Sequence, residues 1–373
     1  MDLTSNLMGI PLKNPLILSS GPLSRSGEMM IKALDAGAGA VVTETILNEI
    51  RPNVRPRMIN RGDGLQNIRL YSEFSLEEWE KEIGLVKEHG GIVIANILAH
   101  SPSEMAFLAR TVEKYGADAL ELGVSSPHGE GLTVLGCDPP NLYEMVKTVV
   151  DVVNIPVMVK LSPYVNNLAA LAKAAEKAGA MGISAINTVR SILGVNIDDM
   201  VPLLPTYGGY SGDPIRPIGL GAVATICQTV DIGVSGIGGI SKFNHLLEYL
   251  MLGAETCQLQ SALILHGFDL IKEILDSLNL WMESKSYTSL DEIRGKALSR
   301  LKSFDEIVLE PKIALKIKDC PLPDCHLCLD SCTYKALYKN QKGQLEVNSI
   351  LCSGCGLCVS ICPYQCFSMV WNS

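Results

Sequence analysis

The feature that most constrains the fold is an eightfold alternation of short apolar runs with amphipathic stretches between about residues 15 and 266. Such runs are typical of strands that a parallel sheet buries on both faces, and several of the intervening stretches open with a serine, asparagine or aspartate helix cap. Eight strand–helix units in succession predict an α/β fold, a (β/α)8 barrel. The predicted strands are residues 15–18, 40–43, 92–97, 119–124, 157–161, 182–186, 232–234 and 256–259.

A doubly wound sheet is the competing fold, and the glycine pattern argues against it. That fold requires a G-x-G-x-x-G turn after its first strand, whereas Leu18 is followed by Ser-Ser-Gly-Pro-Leu. The glycine-rich strand end, Gly-Ile-Gly-Gly-Ile at residues 236–240, follows the seventh strand instead. In barrels, backbone N–H groups after strands seven and eight commonly bind phosphate. This position favours a barrel that binds a phosphorylated cofactor.

Polar residues gather where the predicted strands end. Buried polar groups cost free energy unless they are hydrogen-bonded, so we expect a ligand to be their partner. Lys160, within Val-Met-Val-Lys-Leu, is either an edge residue whose ammonium reaches solvent or a cavity residue that binds an anionic or electron-rich group. The strand-end residues are Ser20, Gly21, Glu44, Thr45, Asn96, Ser125, Ser126, Lys160, Asn187, Thr188, Gly238, Gly239, Gln260 and Ser261.

Nine of the twelve cysteines lie between Cys320 and Cys366, in two runs. The second run reads C-x2-C-x2-C-x3-C-P, the spacing of a 4Fe–4S site in bacterial ferredoxins. Structural zinc or a disulfide knot is the alternative, but zinc sites usually pair two C-x2-C hooks across a longer spacer. In two-cluster ferredoxins the fourth cysteine of each run serves the other cluster. The predicted ligand sets are therefore Cys320, Cys325, Cys328 and Cys362 for one 4Fe–4S cluster, and Cys352, Cys355, Cys358 and Cys332 for the other.

One spacing departs from that pattern. Four residues separate Cys320 from Cys325, with prolines among them, where two are usual. This loop either alters the environment of the first cluster or leaves Cys320 in doubt as a ligand. Cys366 is either a packed thiol or a substitute ligand.

Clusters and a strand-end lysine together predict a flavin. A flavin takes two electrons as hydride from an organic substrate and exchanges them singly with iron–sulfur clusters. With Gly238 and Gly239 at a phosphate, an isoalloxazine ring is expected beside Lys160. Electrons would then enter or leave through the clusters.

Composition bounds the remaining possibilities. The chain of 373 residues allows a large domain, residues 1–304, and a small one, residues 305–373, with a boundary near Phe304. A net charge of -9 without a basic stripe argues against nucleic acid as a partner. No signal segment or membrane-length apolar stretch is evident, so a reducing, cytoplasmic location without membrane contact is expected.

Several segments resemble class 1 dihydroorotate dehydrogenases and dihydropyrimidine dehydrogenases, in the same order along the chain. They are Leu-Gly-Val-Ser-Ser-Pro-His at 122–128, Val-Lys-Leu-Ser at 159–162, Asn-Thr at 187–188, Thr-Tyr-Gly-Gly-Tyr-Ser-Gly at 206–212, Ile-Arg-Pro at 215–217 and Gly-Ile-Gly-Gly at 236–239. With the ferredoxin-like tail, the chain resembles the FMN and iron–sulfur part of dihydropyrimidine dehydrogenase over essentially its whole length. The resemblance implies a barrel that binds FMN, with substrate stacked on the flavin.

The resemblance also implies roles for individual residues. Ser126, on the loop after the fourth strand, would exchange a proton with the substrate where relatives usually have cysteine; the alternative is a turn or cap serine. Asn67, Asn187 and Thr188 would recognise a cyclic carbonyl substrate. The residues expected to bind FMN are Ser20, Gly21, Glu44, Thr45, Asn96, Lys160, Ile186, Gly212, Gly238, Gly239, Gln260 and Ser261.

Two departures from the family bear on the substrate. Glu44 stands where the family has a lysine, and Gly123 stands where it has an asparagine. A carboxylate in place of a cation would invert the local field and repel the carboxylate of orotate, which favours a neutral, cationic or larger ring. Alternatively, Glu44 is a solvated loop carboxylate.

These observations predict an FMN-dependent oxidoreductase that interconverts CH–CH and C=C in a small cyclic amide such as a dihydropyrimidine. Two alternatives stay open: a dihydroorotate dehydrogenase of pyrimidine biosynthesis, and an electron-transfer subunit without its own organic substrate. The expected electron partner is an FAD- or NAD(P)-binding subunit or a ferredoxin. The chain is expected to form a homodimer or a hetero-oligomer.

Overall fold

The computed structural model describes residues 1–124, 136–322 and 324–371, and the chain divides into two compact units, Met1–Leu301 and Lys302–Ser373. The first unit is built on a closed barrel of eight parallel strands, in which every strand pairs with the next along the chain and the eighth pairs with the first. The predicted (β/α)8 barrel is therefore confirmed. Its strands are Leu16–Leu18, Ala40–Val42, Val93–Ile97, Ala119–Gly123, Val157–Leu161, Gly182–Ala185, Gly233–Ile237 and Thr256–Leu259.

Helices surround this barrel, and side-chain caps define where many of them begin. Ser26, Ser75, Ser101, Asp138 and Asn167 each accept a hydrogen bond from a backbone N–H of the first turn that no carbonyl can reach. The described α-helices of this unit are Gly27–Asp35, Leu76–Glu88, Pro102–Lys114, Pro139–Val150, Leu168–Lys177, Arg216–Cys227, Phe243–Met251, Ser261–His266 and Asp269–Ser284. In the part of the chain that is described, no helix is both long enough and apolar enough to cross a bilayer.

The two ends of the barrel are closed differently. At the amino ends of the strands, an antiparallel hairpin of Ser5–Leu7 and Ile10–Leu12 packs its leucines into a small core with the barrel residues Ile17 and Met158. Each fully buried side chain of this size contributes about 1.5–3 kcal/mol to stability. The hairpin seals this end, so a ligand must enter from the carboxyl ends of the strands.

At that other end the chain builds an antiparallel sheet that the alternation pattern does not reveal. It contains Met58–Arg61 and Gly64–Asn67 from the segment after the second barrel strand, and Val189–Ser191 and Gly208–Gly212 from the segment after the sixth. The pairing of Gly209 with Asn67 joins the two segments. This mouth sheet carries residues from both segments to the carboxyl ends of the barrel strands.

The second unit is a small pseudo-repeated fold. Lys312–Lys316 pairs with Phe367–Trp371, and Leu337–Lys339 pairs with Leu345–Val347, both antiparallel. Short helices, Leu327–Ser331 and Leu357–Ile361, each begin within one of the cysteine runs. Its small core contains Cys328, Cys366 and Phe367. Cysteines therefore occupy positions that apolar side chains fill in a larger domain.

Candidate functional site

Two adjoining cavities open at the carboxyl ends of the barrel strands. The larger cavity has a volume of about 660 Å³ and the smaller about 130 Å³. Their linings share a wall formed by Ser20, Gly21, Pro22, Asn67, Lys160, Asn187 and Thr188. The two cavities are therefore neighbours, and ligands that fill them would lie on either side of the same residues.

The structure brings the predicted strand-end residues together around these cavities. Of the expected FMN-binding residues, Ile186, Gly212, Gly238, Gly239, Gln260 and Ser261 line the larger cavity, Glu44, Thr45 and Asn96 line the smaller one, and Ser20, Gly21 and Lys160 line both. The expected substrate residues Asn67, Asn187 and Thr188 also line both. Ser125 and Ser126 lie outside the described residues, so the expected catalytic serine has no structural placement.

Glycines shape one wall of the larger cavity. Gly238 and Gly239 have φ angles of +127° and +68°, which side-chain-bearing residues rarely adopt. A Cβ at Gly239 would lie 2.9 Å from the backbone nitrogen of Arg216 and 2.9 Å from the carbonyl oxygen of Gly212. The hydroxyl of buried Tyr249 donates to the carbonyl of Gly238 at 2.8 Å, which holds this turn from behind. Positive-φ turns of this kind present backbone N–H groups to anions.

The cavity linings also hold buried polar atoms that have no protein partner. Within the described ranges, neither carboxamide atom of Gln260 is hydrogen-bonded, and neither are Oε1 of Gln258 and Oδ1 of Asn96. Such atoms are costly unless a ligand or water satisfies them. Glycine N–H groups for a phosphate, carboxamides for a polar ring and Lys160 at the shared wall together fit a phosphorylated flavin such as FMN.

A carboxylate that the sequence analysis missed lies beneath the two cavities. Glu121, on the fourth barrel strand, has no exposed surface and accepts hydrogen bonds from Lys160, Asn96, Ser184 and Gln258. Burial acts to raise the pKa of Glu121, but the Lys160 ammonium and the three neutral donors outweigh it and hold the pKa below its usual range. Lys160 is thus a cavity residue with a buried counter-charge, and the alternative of a solvent-reaching edge lysine is wrong.

Glu44 forms a second buried ion pair, with Arg69. The guanidinium donates through Nε to Glu44 Oε1 and through Nη2 to Glu44 Oε2 at 3.0 Å, and both side chains are at most 6% exposed. Burial raises the pKa of Glu44 above its ordinary value, and Arg69 opposes that rise. The alternative of a solvated loop carboxylate is therefore wrong. The expectation that Glu44 inverts the local field also needs correction, because Arg69 neutralises it within the same cavity wall.

Asn67 helps to fix Arg69 and is itself oriented by it. The backbone N–H of Arg69 donates to Oδ1 of Asn67 at 2.7 Å, so the NH2 group of Asn67 is directed elsewhere. The smaller cavity is therefore lined by a carboxamide donor at Asn67, a carboxamide acceptor at Asn96 and the two cations Arg69 and Lys160. This arrangement suits a ring that carries both amide groups and a negative charge.

In the second unit, the predicted iron–sulfur ligands gather around two small cavities in the crossed arrangement. One cavity is lined by Cys320, Cys325, Cys328 and Cys362, together with Cys366. The other is lined by Cys332, Cys352, Cys355 and Cys358, with Cys328 at its edge. All twelve cysteines are free thiols, so the disulfide alternative is wrong. Backbone N–H groups of Ala336 and Ala314 donate to the sulfurs of Cys332 at 3.3 Å and Cys352 at 3.4 Å.

Comparisons with known proteins agree with both units. Residues 2–282 match the model of the dihydroorotate dehydrogenase family, and residues 345–368 match the model of the 4Fe-4S binding domain. The second match confirms a C-terminal 4Fe–4S domain. It spans the second cysteine run only, so it does not establish how many clusters the domain holds.

Three similar proteins are named dihydroorotate dehydrogenase B (NAD(+)), catalytic subunit. The protein from Pyrococcus abyssi (strain GE5 / Orsay) is 41% identical over 302 residues, which cover 79% of this chain and 98% of that protein. The one from Pyrococcus furiosus (strain ATCC 43587 / DSM 3638 / JCM 8422 / Vc1) is 39% identical, with 80% and 99% covered. The one from Thermoplasma volcanium (strain ATCC 51530 / DSM 4299 / JCM 9571 / NBRC 15438 / GSS1) is 35% identical, also with 80% and 99% covered.

These matches favour one side of the resemblance seen in the sequence. They carry the dihydroorotate dehydrogenase name and do not support the dihydropyrimidine dehydrogenase name. Each match takes in nearly the whole relative yet leaves about a fifth of this chain unmatched, which is the size of the second unit. The family model covers most of the chain, and the relatives match along nearly their full length. The chain therefore belongs to the dihydroorotate dehydrogenase family, whose members are oxidoreductases acting on CH–CH groups.

Proposed function

We propose that this chain binds FMN in the larger cavity and oxidises dihydroorotate to orotate in the smaller one. The observation that carries the proposal is the shared wall: a substrate in the smaller cavity and a cofactor in the larger one would lie on either side of the same residues. Bound FMN supplies a two-electron hydride acceptor that can be reoxidised one electron at a time. The protein residues bind and orient both partners.

The smaller cavity offers charged hydrogen-bond donors to an anionic substrate. Its charged lining residues, in the described part of the chain, are Glu44, Arg69 and Lys160, which is one carboxylate against two cations. Glu44 and Glu73 both lie within ion-pair distance of Arg69. Glu121 lies within that distance of Lys160, so carboxylates offset the charges of both cations. What these cations offer a carboxylated ring such as dihydroorotate is charged hydrogen-bond donors rather than net positive charge, and a neutral dihydropyrimidine has no carboxylate to accept from them.

Carboxamides complete the recognition of the ring. Donors at Asn67 and acceptors at Asn96 match the carbonyl and N–H groups of a cyclic amide, and Asn187 and Thr188 extend the same wall. We propose Ser126 as the residue that exchanges the proton on the carbon next to the hydride donor, on the strength of its place in the family loop. A serine needs a neighbouring base or water for that role.

A dihydropyrimidine is the second candidate substrate, and Glu44 is the observation that favours it. The family lysine at this position has been replaced by a carboxylate, and the cation that compensates for it, Arg69, lies 25 residues further along the same segment. Gly123, which lines the smaller cavity, also leaves space that a different ring can use. A dihydropyrimidine fits if Arg69 serves only to neutralise Glu44.

The second unit is proposed to carry the electrons away. The crossed grouping of eight cysteines supports two 4Fe–4S clusters, held by Cys320, Cys325, Cys328 and Cys362 and by Cys332, Cys352, Cys355 and Cys358. The similar proteins are catalytic subunits by name, so we propose an FAD- or NAD(P)-binding partner subunit, or a ferredoxin, as the next carrier. Assembly as a homodimer or a hetero-oligomer is part of this proposal.

Anaerobic mixing of the reconstituted protein with candidate substrates tests the proposal. Rapid bleaching of flavin absorbance by dihydroorotate, with dihydrouracil much slower, supports it. The reverse order supports the dihydropyrimidine candidate. Full flavin content with no bleaching by either ring supports the electron-transfer subunit without its own substrate. Iron and sulfide contents of about eight each per chain support two clusters, and about four each would leave one.

A further inference from the structure

The carboxylate of Glu121 contacts the walls of both cavities without lining either of them. It accepts from Nδ2 of Asn96 at 2.7 Å, Oγ of Ser184 at 2.7 Å, Nε2 of Gln258 at 3.1 Å and Nζ of Lys160 at 3.3 Å. These four donors come from four other strands of the barrel. Asn96, Gln258 and Lys160 line the cavities, whereas Glu121 and Ser184 do not. Anything that Glu121 does to a ligand is therefore done through those three side chains.

An ionised carboxylate fixes which way its carboxamide neighbours point. It has acceptors and no donor, so Asn96 and Gln258 must each direct their NH2 group toward it. A flipped carboxamide would place its own oxygen against the carboxylate, which is repulsive. Oδ1 of Asn96 and Oε1 of Gln258 are accordingly left buried and without a partner in the described ranges. Glu121 thereby presents one acceptor in the smaller cavity and another in the larger.

The same carboxylate provides the counter-charge for Lys160. A buried ammonium without a counter-ion is costly, and Glu121, which lines neither cavity, lies within ion-pair distance of it. The ammonium remains at the shared wall, where it can face a ligand atom that gains negative charge. Reduction of a flavin is a reaction in which such charge develops.

We propose that Glu121 is a positioning residue that sets the hydrogen-bonding polarity and the charge of both cavities. Through its partners it selects ligands with an N–H or O–H donor opposite Asn96 and Gln258 and an electron-rich edge opposite Lys160. The inference rests on the proposed binding of FMN, which has an imide N–H, hydroxyl groups and a ring edge that becomes anionic on reduction. It extends that proposal by assigning the control of cofactor affinity and potential to a residue that touches neither ligand.

The Glu121→Gln and Glu121→Asp variants separate charge from orientation. Glutamine removes the negative charge and can donate as well as accept, so Asn96 and Gln258 lose their enforced orientation. We expect the Kd of FMN to rise at least tenfold. Loss of the negative charge beside Lys160 should favour reduced over oxidised FMN by about tenfold, which is about 30 mV upward in the two-electron midpoint potential. Aspartate keeps the charge on a shorter arm, so the potential should stay near that of the wild type while FMN affinity falls.

Two further variants keep the test informative. Glu255→Gln removes a partly buried carboxylate that lines neither cavity, and it should leave FMN affinity and potential unchanged. Ser184→Ala removes one hydrogen bond to Glu121 without altering a cavity wall, and it should weaken FMN binding about threefold. If Glu121→Gln does not fold, Ser184→Ala and Glu121→Asp test the inference.

The measurements are FMN titration by fluorescence quenching, spectroelectrochemical titration of the flavin and circular dichroism as a check of folding. Wild-type affinity and potential in folded Glu121→Gln, or no effect of Ser184→Ala and Glu121→Asp on affinity, overturn the inference and leave the proposed function intact. Failure of the wild-type protein to bind FMN overturns the proposed function itself.

Discussion

Removing the guanidinium of Arg69 should damage both stability and substrate recognition, and the two effects can be separated. Arg69 and Glu44 are each almost completely buried and share two hydrogen bonds. An Arg69→Met substitution keeps the length of the side chain and leaves Glu44 buried without its cation. An Arg69→Met, Glu44→Gln double variant removes both charges and restores a neutral wall.

The expected loss of stability is large for a single substitution. Breaking a buried pair by removing one partner costs about 3–5 kcal/mol, because the remaining charge is uncompensated. The lower end, about 3 kcal/mol, applies here, because Glu44 can bind a proton when Arg69 is absent. The double variant should recover most of this loss, since replacement of a whole buried pair by neutral groups is often close to neutral.

The deficit should also depend on pH. Burial already raises the pKa of Glu44, and loss of Arg69 removes the opposing effect, so the pKa rises further. A glutamate with a raised folded-state pKa contributes stability that is fully present below its ordinary pKa and is lost as the pH rises through the folded-state value. The difference in unfolding free energy between wild type and Arg69→Met should therefore be smaller near pH 5 than near pH 7. The double variant has no carboxylate at position 44, so this pH dependence of Arg69→Met should disappear in it.

Recognition of dihydroorotate should not recover in the double variant. A hydrogen bond to a charged group contributes about 1.5–3 kcal/mol, so kcat/KM for dihydroorotate should fall roughly 10- to 150-fold in both variants. Dihydrouracil, which lacks the carboxylate, should change little. The assays are urea unfolding at the two pH values and anaerobic turnover with an artificial one-electron acceptor. Lys32→Met, in an exposed ion pair with Glu28, is the control and should change neither quantity.

The reasoning is refuted in either of two ways. If the double variant regains wild-type kcat/KM for dihydroorotate, Arg69 acts only to neutralise Glu44 and the dihydropyrimidine candidate gains. If Arg69→Met is as stable as wild type at both pH values, the pair does not form as the structure shows it.

Three further predictions concern the cofactors and the proton. Gly239→Ala should weaken FMN binding at least tenfold, because a Cβ there meets backbone atoms at 2.9 Å. The control Gly221→Ala, with open space around its Cβ, should leave FMN binding unchanged. Equal FMN affinities of the two variants would contradict the assigned phosphate turn. Cys320→Ser should lower iron content by up to one cluster and Cys366→Ser should not, by iron and sulfide analysis; the opposite result would make Cys366 the ligand. Ser126→Ala should lower the rate of flavin reduction by dihydroorotate at least 100-fold without changing reduction by dithionite, and an unchanged rate would remove Ser126 from catalysis.

The barrel was predictable because its evidence is local. Each strand is buried on both faces and therefore reads as an apolar run, and each helix begins at a cap residue close to it in sequence. The sixth strand was predicted at residues 182–186 and forms over Gly182–Ala185. The mouth sheet was not predicted, because Gly64–Asn67 and Gly208–Gly212 pair across more than 140 residues of sequence and are rich in glycine and polar residues.

Glu121 and Arg69, the ion-pair partners that the sequence analysis did not identify, differ in how far the sequence reveals them. Glu121, like Lys160, is a charged residue inside a predicted apolar strand. The sequence therefore signals both charges, and an ion pair between them is the simplest expectation. Arg69 gives no such signal. It lies just after the Gly64–Asn67 strand of the mouth sheet, and its proximity to Glu44 exists only once that strand has folded back over the barrel. A local sequence pattern can therefore identify a charged residue that a strand buries. A charged residue that a returning loop brings to the site can be identified only from the tertiary structure.

The two ion pairs differ in how they face the cavities, although each holds a cation at a cavity wall. Glu121 pairs with Lys160, and Glu44 is held by two guanidinium nitrogens of Arg69. Glu121 is hidden from both cavities, whereas Glu44 and Arg69 line the smaller cavity together and are equally buried. We propose that the substrate gives up its hydride beside the wall that Lys160 shares between the cavities. On that proposal, Arg69 would hold the substrate carboxylate and Lys160 would face the ring edge of the cofactor, with Glu44 and Glu121 keeping the two cations in place.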